Sequence, residues 1–248
     1  MVSIITPCYN SEEFIADTIR SVQDQTYQDW EMLIVDDCST DNSYRIASSF
    51  AESDPRIKVF KTDSPSGSPV TPRNLAISRS SGKYIAFLDS DDLWLPSKLE
   101  SQIRLLGEHD DAAVAFSYYE KISEQGERAG RIIKSPAQVT YRQLLRGNVI
   151  GCLTGVYDAE KVGRIMLQHR GHEDYVMWLN ILRKGYLAVN TNDVQALYRI
   201  RGGSVSANKL KVLSWQWSIY RDSEKLGLLA SIYYFVWYAV QAFMKSIK

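Results

Sequence analysis

Four short apolar runs in the first ninety residues, at 2–6, 31–35, 57–60 and 83–88, alternate with stretches whose apolar residues fall at helical spacing. That alternation confines the chain to the α/β class with a mainly parallel sheet. Residues 12–25 carry Phe14, Ile15, Ile19 and Val22 behind Ser11, a pattern that predicts a helix capped by that serine. The polar segment 36–41 predicts the cap of a helix over 43–51. Residues 62–72 are rich in Ser, Pro and Gly and predict a surface loop ahead of a helix beginning near Arg73. The run 83–88 is apolar at both parities and is therefore central. It ends at Asp89-Ser90-Asp91-Asp92, after which Trp94-Leu95-Pro96 open a helix over 97–106.

The second half is less regular. Residues 112–116 predict a further strand, 120–142 a polar loop, and 141–146 a short helix. Val176, Leu179, Ile181 and Leu182 predict a helix over 173–183 that stops at Gly185, and two strands follow at 186–190 and 194–198.

Twenty-nine basic residues balance 29 acidic ones in 248, so the overall field gives no reason to expect nucleic acid as a partner. Three widely spaced cysteines, Cys8, Cys38 and Cys152, form neither a zinc pair nor a disulfide framework, which fits a reducing cytosol, and the first two read as small buried fillers. No export signal and no interdomain linker is apparent.

Asp36/Asp37 and Asp89/Asp91/Asp92 each follow a strand, so they converge on the carboxyl edge of the sheet, where ligands of open α/β sheets sit. Crowded carboxylates repel one another unless a cation compensates, and oxygen ligands suit Mg²⁺ or Mn²⁺. A cation held by one or two carboxylates completes its shell with phosphate oxygens, which implies a diphosphate ligand. Neither GxGxxG after the first strand nor GxxxxGK[ST] occurs, so the dinucleotide and P-loop classes drop out. Against this stands the ordinary use of aspartate in turns and caps, with Asp92 a candidate cap for the helix that follows.

Taken in order, VSIITPCYN, IVDDCSTDNS, PRN at Arg73, YIAFLDSDDLW and HEDYVMWL around Asp174 resemble the family 2 glycosyltransferases, over about residues 2–205. The nearest resemblance is to bacterial enzymes that assemble O-antigen or capsule repeat units on a lipid diphosphate carrier. The resemblance implies a GT-A fold, with one Rossmann-like nucleotide-binding sheet. Its domain would span 1–205, as a nucleotide-sugar half (1–95) and an acceptor half (96–205), and a helical extension would occupy 206–248.

It also implies roles. Pro7 and Tyr9 would lie against the nucleobase and Asp37 would accept from the uracil imide, favouring a UDP-sugar. Arg73, Asp89 and Ser90 would bind donor, and Asp91 would hold the metal. Asp174 would be the general base of an inverting transfer, with Glu173 orienting the loop or binding acceptor. His172 is expected to bond only to backbone. The implied reaction moves a hexose, glucose or galactose favoured, onto a lipid-diphosphate-linked N-acetylhexosamine. Two rivals are a nucleotidyltransferase making nucleotide sugars and a catalytically silent scaffold subunit.

After residue 224 no acidic side chain remains, and residues 226–244 carry no charge but many aromatics, flanked by Lys225, Lys245 and Lys248. This predicts a helix apolar nearly all round, lying at the headgroup boundary of the inner membrane face, with a span permitted by length. The alternatives are packing against the catalytic domain or a homodimer contact.

Overall fold

The computed structural model describes residues 1–201 and 209–247. The predicted strands and helices of the first half form: β1 (Val2–Cys8), α1 (Ile15–Gln23), β2 (Trp30–Asp36), α2 (Ser43–Ser53), β3 (Ile57–Lys61), α3 (Val70–Arg79) and β4 (Tyr84–Phe87). β1 pairs in parallel with β2 and with β4, and β2 in parallel with β3. The chain thus steps outward from β1 to β3 and returns to the other side of β1, which makes the β1/β4 carboxyl edge a topological switch point.

All seven residues of β1 and of β2 are buried, because both faces of the sheet are covered. Ile5, Leu33, Val35, Ile85 and Phe87 join Ala76 and Ile77 of α3 in one core. Their neighbours Ile4, Met32, Ile34 and Ala86 join Ile15, Ile19 and Val22 of α1 in the other. Glu31 is buried inside this sheet, and its hydrogen-bond donors outweigh the cost. Burial alone would raise its carboxyl, but Lys58, Ser3 and Ser81 all donate to it and hold it down to about 2.

The rest follows as β5 (Leu93–Trp94), α4 (Lys98–Glu108), β6 (Ala112–Ile122), β7 (Arg128–Ile133), β8 (Gln138–Val139), α5 (Tyr141–Leu144), a 3₁₀ turn (Cys152–Thr154), β9 (Val156–Asp158), α6 (Ala159–Val162), α7 (Glu173–Leu182) and β10 (Leu187–Arg199). The sheet order is β3-β2-β1-β4-β9-β6-β10-β5. Two expectations are corrected here. Residues 120–133 are a hairpin and not a loop, built by β6 running on to Ile122 and by the exposed β7, with buried Glu120 bonded to Arg128 and to the Gly130 amide. The two strands expected over 186–198 are one strand, β10, whose pairing with β6 slips between Asn190 and Val194. Gly185, at φ +98°, ends α7 as expected.

The C-terminal segment comprises α8 (Lys209–Ser218), one π-helical turn (Ile219–Ser223) and α9 (Leu228–Ile247). It packs on the core of the sheet through buried Ile219 and Tyr220 and half-buried Tyr234 and Phe235. Tyr220 donates to the Leu145 carbonyl at 2.7 Å, and Tyr141 to Glu224 at 2.6 Å. The opposite side of α9 exposes Leu229, Ile232, Tyr233, Val236 and Val240. Both its packed and its exposed sides are thus apolar, as expected, and among the described residues no helix is long and apolar enough to cross a membrane.

Candidate active site

The ends of β1, β2 and β4 and the start of α3 enclose a cavity of about 380 Å³. Pro7, Tyr9, Asp37, Arg73, Asp89, Ser90 and Asp91 all line it, so Asp37, Asp89 and Asp91 converge as expected, whereas Asp36 and Asp92 are buried outside it, Asp36 accepting from the Ser39 amide. Asp37 accepts from Thr62 at 2.9 Å and from the Ser66 amide at 3.0 Å, which ties the 62–68 loop over the cavity. Ser90 is buried, with its hydroxyl 2.8 Å from that of Ser11. Ser11 thus serves the site and does not cap α1, whose N-cap position is Phe14.

Arg73 lies four residues into α3, which begins earlier than expected, and it is buried, not a solvated surface arginine. Its guanidinium bridges two segments: Nη2 donates to Asp89 at 2.6 Å and Nη1 to Glu173 at 2.7 Å, while Nε has no partner. Asp174, in the first turn of α7, does not line the cavity, and neither does Glu173, but Glu173 next to it bonds to the cavity residue Arg73. Burial, then the neighbouring Glu173 charge, pushes its carboxyl up to about 6, against the pull of Arg73 and of Asn148, whose Nδ2 donates to it at 3.1 Å. A carboxylate poised there accepts a proton efficiently near neutral pH.

Asp91 and Asp92 diverge in role. Asp92 is buried, accepts from the Arg199 amide at 2.9 Å and is pushed well up by burial and by its aspartate neighbours. It anchors β10 and does not cap α4, whose N-cap position is Ser97. Asp91 lines the cavity; burial and Asp89 raise its carboxyl, and Arg201 draws it back through a 3.2 Å bond. Arg201 also lines the cavity and escaped the sequence reading, although an Arg-x-Arg at a strand end was its available signal. Asn148 and Cys152 had none. The Cys152 thiol is pushed far up by burial and lies within the fields of Arg73, Asp89, Asp174 and Glu173.

Cys8 is buried as expected, but Cys38 is half-buried at φ +59°, its thiol 3.3 Å from the Thr62 carbonyl. His172 starts α7 in the left-handed region, at φ +61°, and packs edge-on against Trp215. Its buried Nε2 has no hydrogen-bond partner, contrary to the backbone bond expected of it.

The family model described as Glycosyl transferase family 2 matches residues 3–159, which include every strand-end carboxylate of the cavity. The chain belongs to that family. TuaG of Bacillus subtilis, named for teichuronic acid biosynthesis, is 40% identical over 248 residues, covering 100% of this chain and 98% of its own. Escherichia coli WfgD, named a UDP-Glc:α-D-GlcNAc-diphosphoundecaprenol β-1,3-glucosyltransferase, is 38% identical over 97% of this chain and 92% of its own. WfaP from the same species, with the same printed activity, is 36% identical over 99% and 95%. Among solved structures, Staphylococcus aureus TarS with UDP-GlcNAc superposes with a TM-score of 0.75 at 21% identity, over 96% of this chain and 71% of that one. Mannosyltransferase PcManGT of Pyrobaculum calidifontis, with GDP-Man and Mn²⁺, gives 0.68 at 16% identity, over 96% and 73%. The fold is GT-A, and the chain is a glycosyltransferase, which sets the nucleotidyltransferase and silent-subunit readings aside.

Proposed function

We propose that this glycosyltransferase moves a hexose, glucose favoured, from a UDP-sugar to a hydroxyl of a lipid-diphosphate-linked N-acetylhexosamine, with inversion at the anomeric carbon. The observation that carries the reading is Asp174, a single carboxylate raised to about 6 and set beside, not inside, a cavity edged with aspartates. The printed activities of WfgD and WfaP support the substrate classes. Asp174 takes the proton from the acceptor hydroxyl as that oxygen bonds to the anomeric carbon. The bond from carbon to the UDP oxygen breaks, and UDP leaves with the electron pair. One base facing one leaving group requires no covalent intermediate.

In this reading Pro7 and Tyr9 flank the base, Asp37 accepts from uracil, Ser90 and Asp89 meet donor hydroxyls, and the Arg73 Nε that lacks a partner faces donor. Glu173 keeps Arg73 in place. Mn²⁺ or Mg²⁺ fits Asp91, whose carboxyl is held up by burial and by Asp89 and is thus stabilised by an added cation. Among the described residues no group of three His, Cys, Asp or Glu stands ready to hold a metal, so such an ion would draw other ligands from phosphate. When bound it neutralises charge developing on the diphosphate. The exposed side of α9, with Arg221 and Lys225 ahead of it, suits peripheral contact with the cytosolic membrane face.

The test is UDP release by the purified chain from a panel of UDP-sugars, with Mn²⁺ or chelator, with and without a lipid-diphosphate N-acetylglucosamine. Release from one donor that needs acceptor and is lost with chelator is the expected result. Release that ignores both acceptor and chelator overturns it.

A further inference from the structure

A second cavity, of about 330 Å³, lies beside Asp174 and apart from the donor cavity. Its wall includes Asn148, which bonds to Asp174, and His172, two positions before it. The C-terminal helices close it with Gln216 of α8 and Tyr238 of α9. These helices are held hard against the start of α7: a Cβ on Gly171 would fall 1.9 Å from the Trp215 indole.

One buried nitrogen in this wall lacks a hydrogen-bond partner. It is the Nε2 of His172, and beside it Gln216, only 2% exposed, lies against the Tyr175 and Tyr220 hydroxyls. Buried polar groups in folded proteins are satisfied as a rule, so an orphan lining a cavity beside a buried amide marks the place where a polar ligand belongs. At the rim, Arg146 lies 4.8 Å above the Trp237 ring and is in no ion pair among the described residues. A guanidinium free of carboxylates beside neutral amide and imidazole groups matches a sugar that carries phosphate. Trp237 is itself 40% exposed and continues into the apolar side of α9, so rim and apolar face meet at that ring.

We infer that this cavity binds the sugar-diphosphate end of the acceptor. Gln216 and His172 bond sugar hydroxyls, Asn148 holds Asp174 toward the hydroxyl that reacts, and Arg146 meets the diphosphate. The lipid chain leaves along the exposed side of α9. The inference rests on the acceptor class proposed above, and it gives the C-terminal extension a part in substrate recognition.

The experiment uses the full chain and two water-soluble acceptors: N-acetylglucosamine α-diphosphate esterified to a short alkyl alcohol, and the α-alkyl glycoside without phosphates. Wild type is expected to show the lower KM with the diphosphate. Arg146→Ala raises that KM about 10- to 100-fold, the loss of a charge-assisted contact, and narrows the ratio of the two KM values, and Arg146→Lys restores part of it. Gln216→Met raises both KM values while UDP affinity is unchanged. Arg146 is exposed, so its variants keep the fold, which the melting temperature checks. An unchanged KM ratio in Arg146→Ala, a rise shared equally by both acceptors, or unchanged KM values in a folded Gln216→Met each overturn the assignment. Should wild type use neither acceptor, the functional reading fails first and the assignment falls with it.

Discussion

The donor cavity and the cavity beside α7–α9 handle charge in opposite ways. In the first, Arg73 is shared by Asp89 and Glu173, Asp91 is drawn to Arg201, and Asp37 is filled by Thr62 and Ser66. In the second, Arg146 has no ionic partner among the described residues and the buried Nε2 of His172 is unbonded. A ligand entering the first must exchange with bonds already made, so its affinity is a difference between two sets of contacts. A ligand entering the second completes bonds that are missing. Asp174 stands where the two meet, and its raised carboxyl reflects both: crowding by Glu173 from one side and shelter from water on the other.

The sharpest test of that contrast is Asp174→Asn, expected to lower turnover about 10²- to 10⁴-fold while leaving UDP-sugar affinity in place, as read by calorimetry. An equal loss of donor affinity would merge the two regions into one. Next in size is Arg73→Met, which strands Asp89 and Glu173 and should destabilise the fold by about 3 kcal/mol in chemical denaturation. A negligible change would mean that the bridge is replaced by solvent. The pH profile comes third. Because Asp174 must be ionised to accept a proton, kcat/KM should fall about tenfold per unit below a midpoint near 6. A midpoint near 4 would remove burial and Glu173 as tuning forces.

Smallest is a stability effect of the same residue. A carboxyl raised in the folded state favours folding below its unfolded value and loses that advantage as pH rises through about 6. Asp174→Asn should therefore be more stable than wild type by about 1–2 kcal/mol at pH 7.5, allowing for its partial exposure, with the gain gone near pH 4. Melting curves at the two pH values measure it, and a pH-independent difference would contradict the assignment.

The donor side was legible because each of its parts has a local sequence signature. An apolar run predicts a buried parallel strand, and a carboxylate at its end lands on the ligand edge, as Asp37, Asp89 and Asp91 do. The acceptor side depends on partners distant in sequence. β7 is exposed and its large apolar residues, Ile132 and Ile133, are adjacent and do not alternate, and the slip at Asn190–Val194 splits one strand into two apparent ones. Asn148 enters the site by its bond to a residue 26 positions away, and Gln216 by the docking of α8, neither of which periodicity records. Ser11 and Asp92 had the composition of caps, but were taken instead by long-range bonds to Ser90 and the Arg199 amide. In α9 the run of aromatic residues concealed a face committed to Tyr220 and the core.

Arg73 has one further consequence. Its positive charge holds Glu173 and Asp89 together and at the same time restrains the basicity of Asp174. An anion drawn toward Arg73 from the donor side offsets part of that restraint, and Asp174 then becomes the stronger proton acceptor. Such linkage runs in both directions, so protonating Asp174 also changes how tightly the anion is held. In the proposed reaction a single guanidinium thereby lets the half of the site assigned to the leaving group report its occupancy to the half assigned to the incoming hydroxyl.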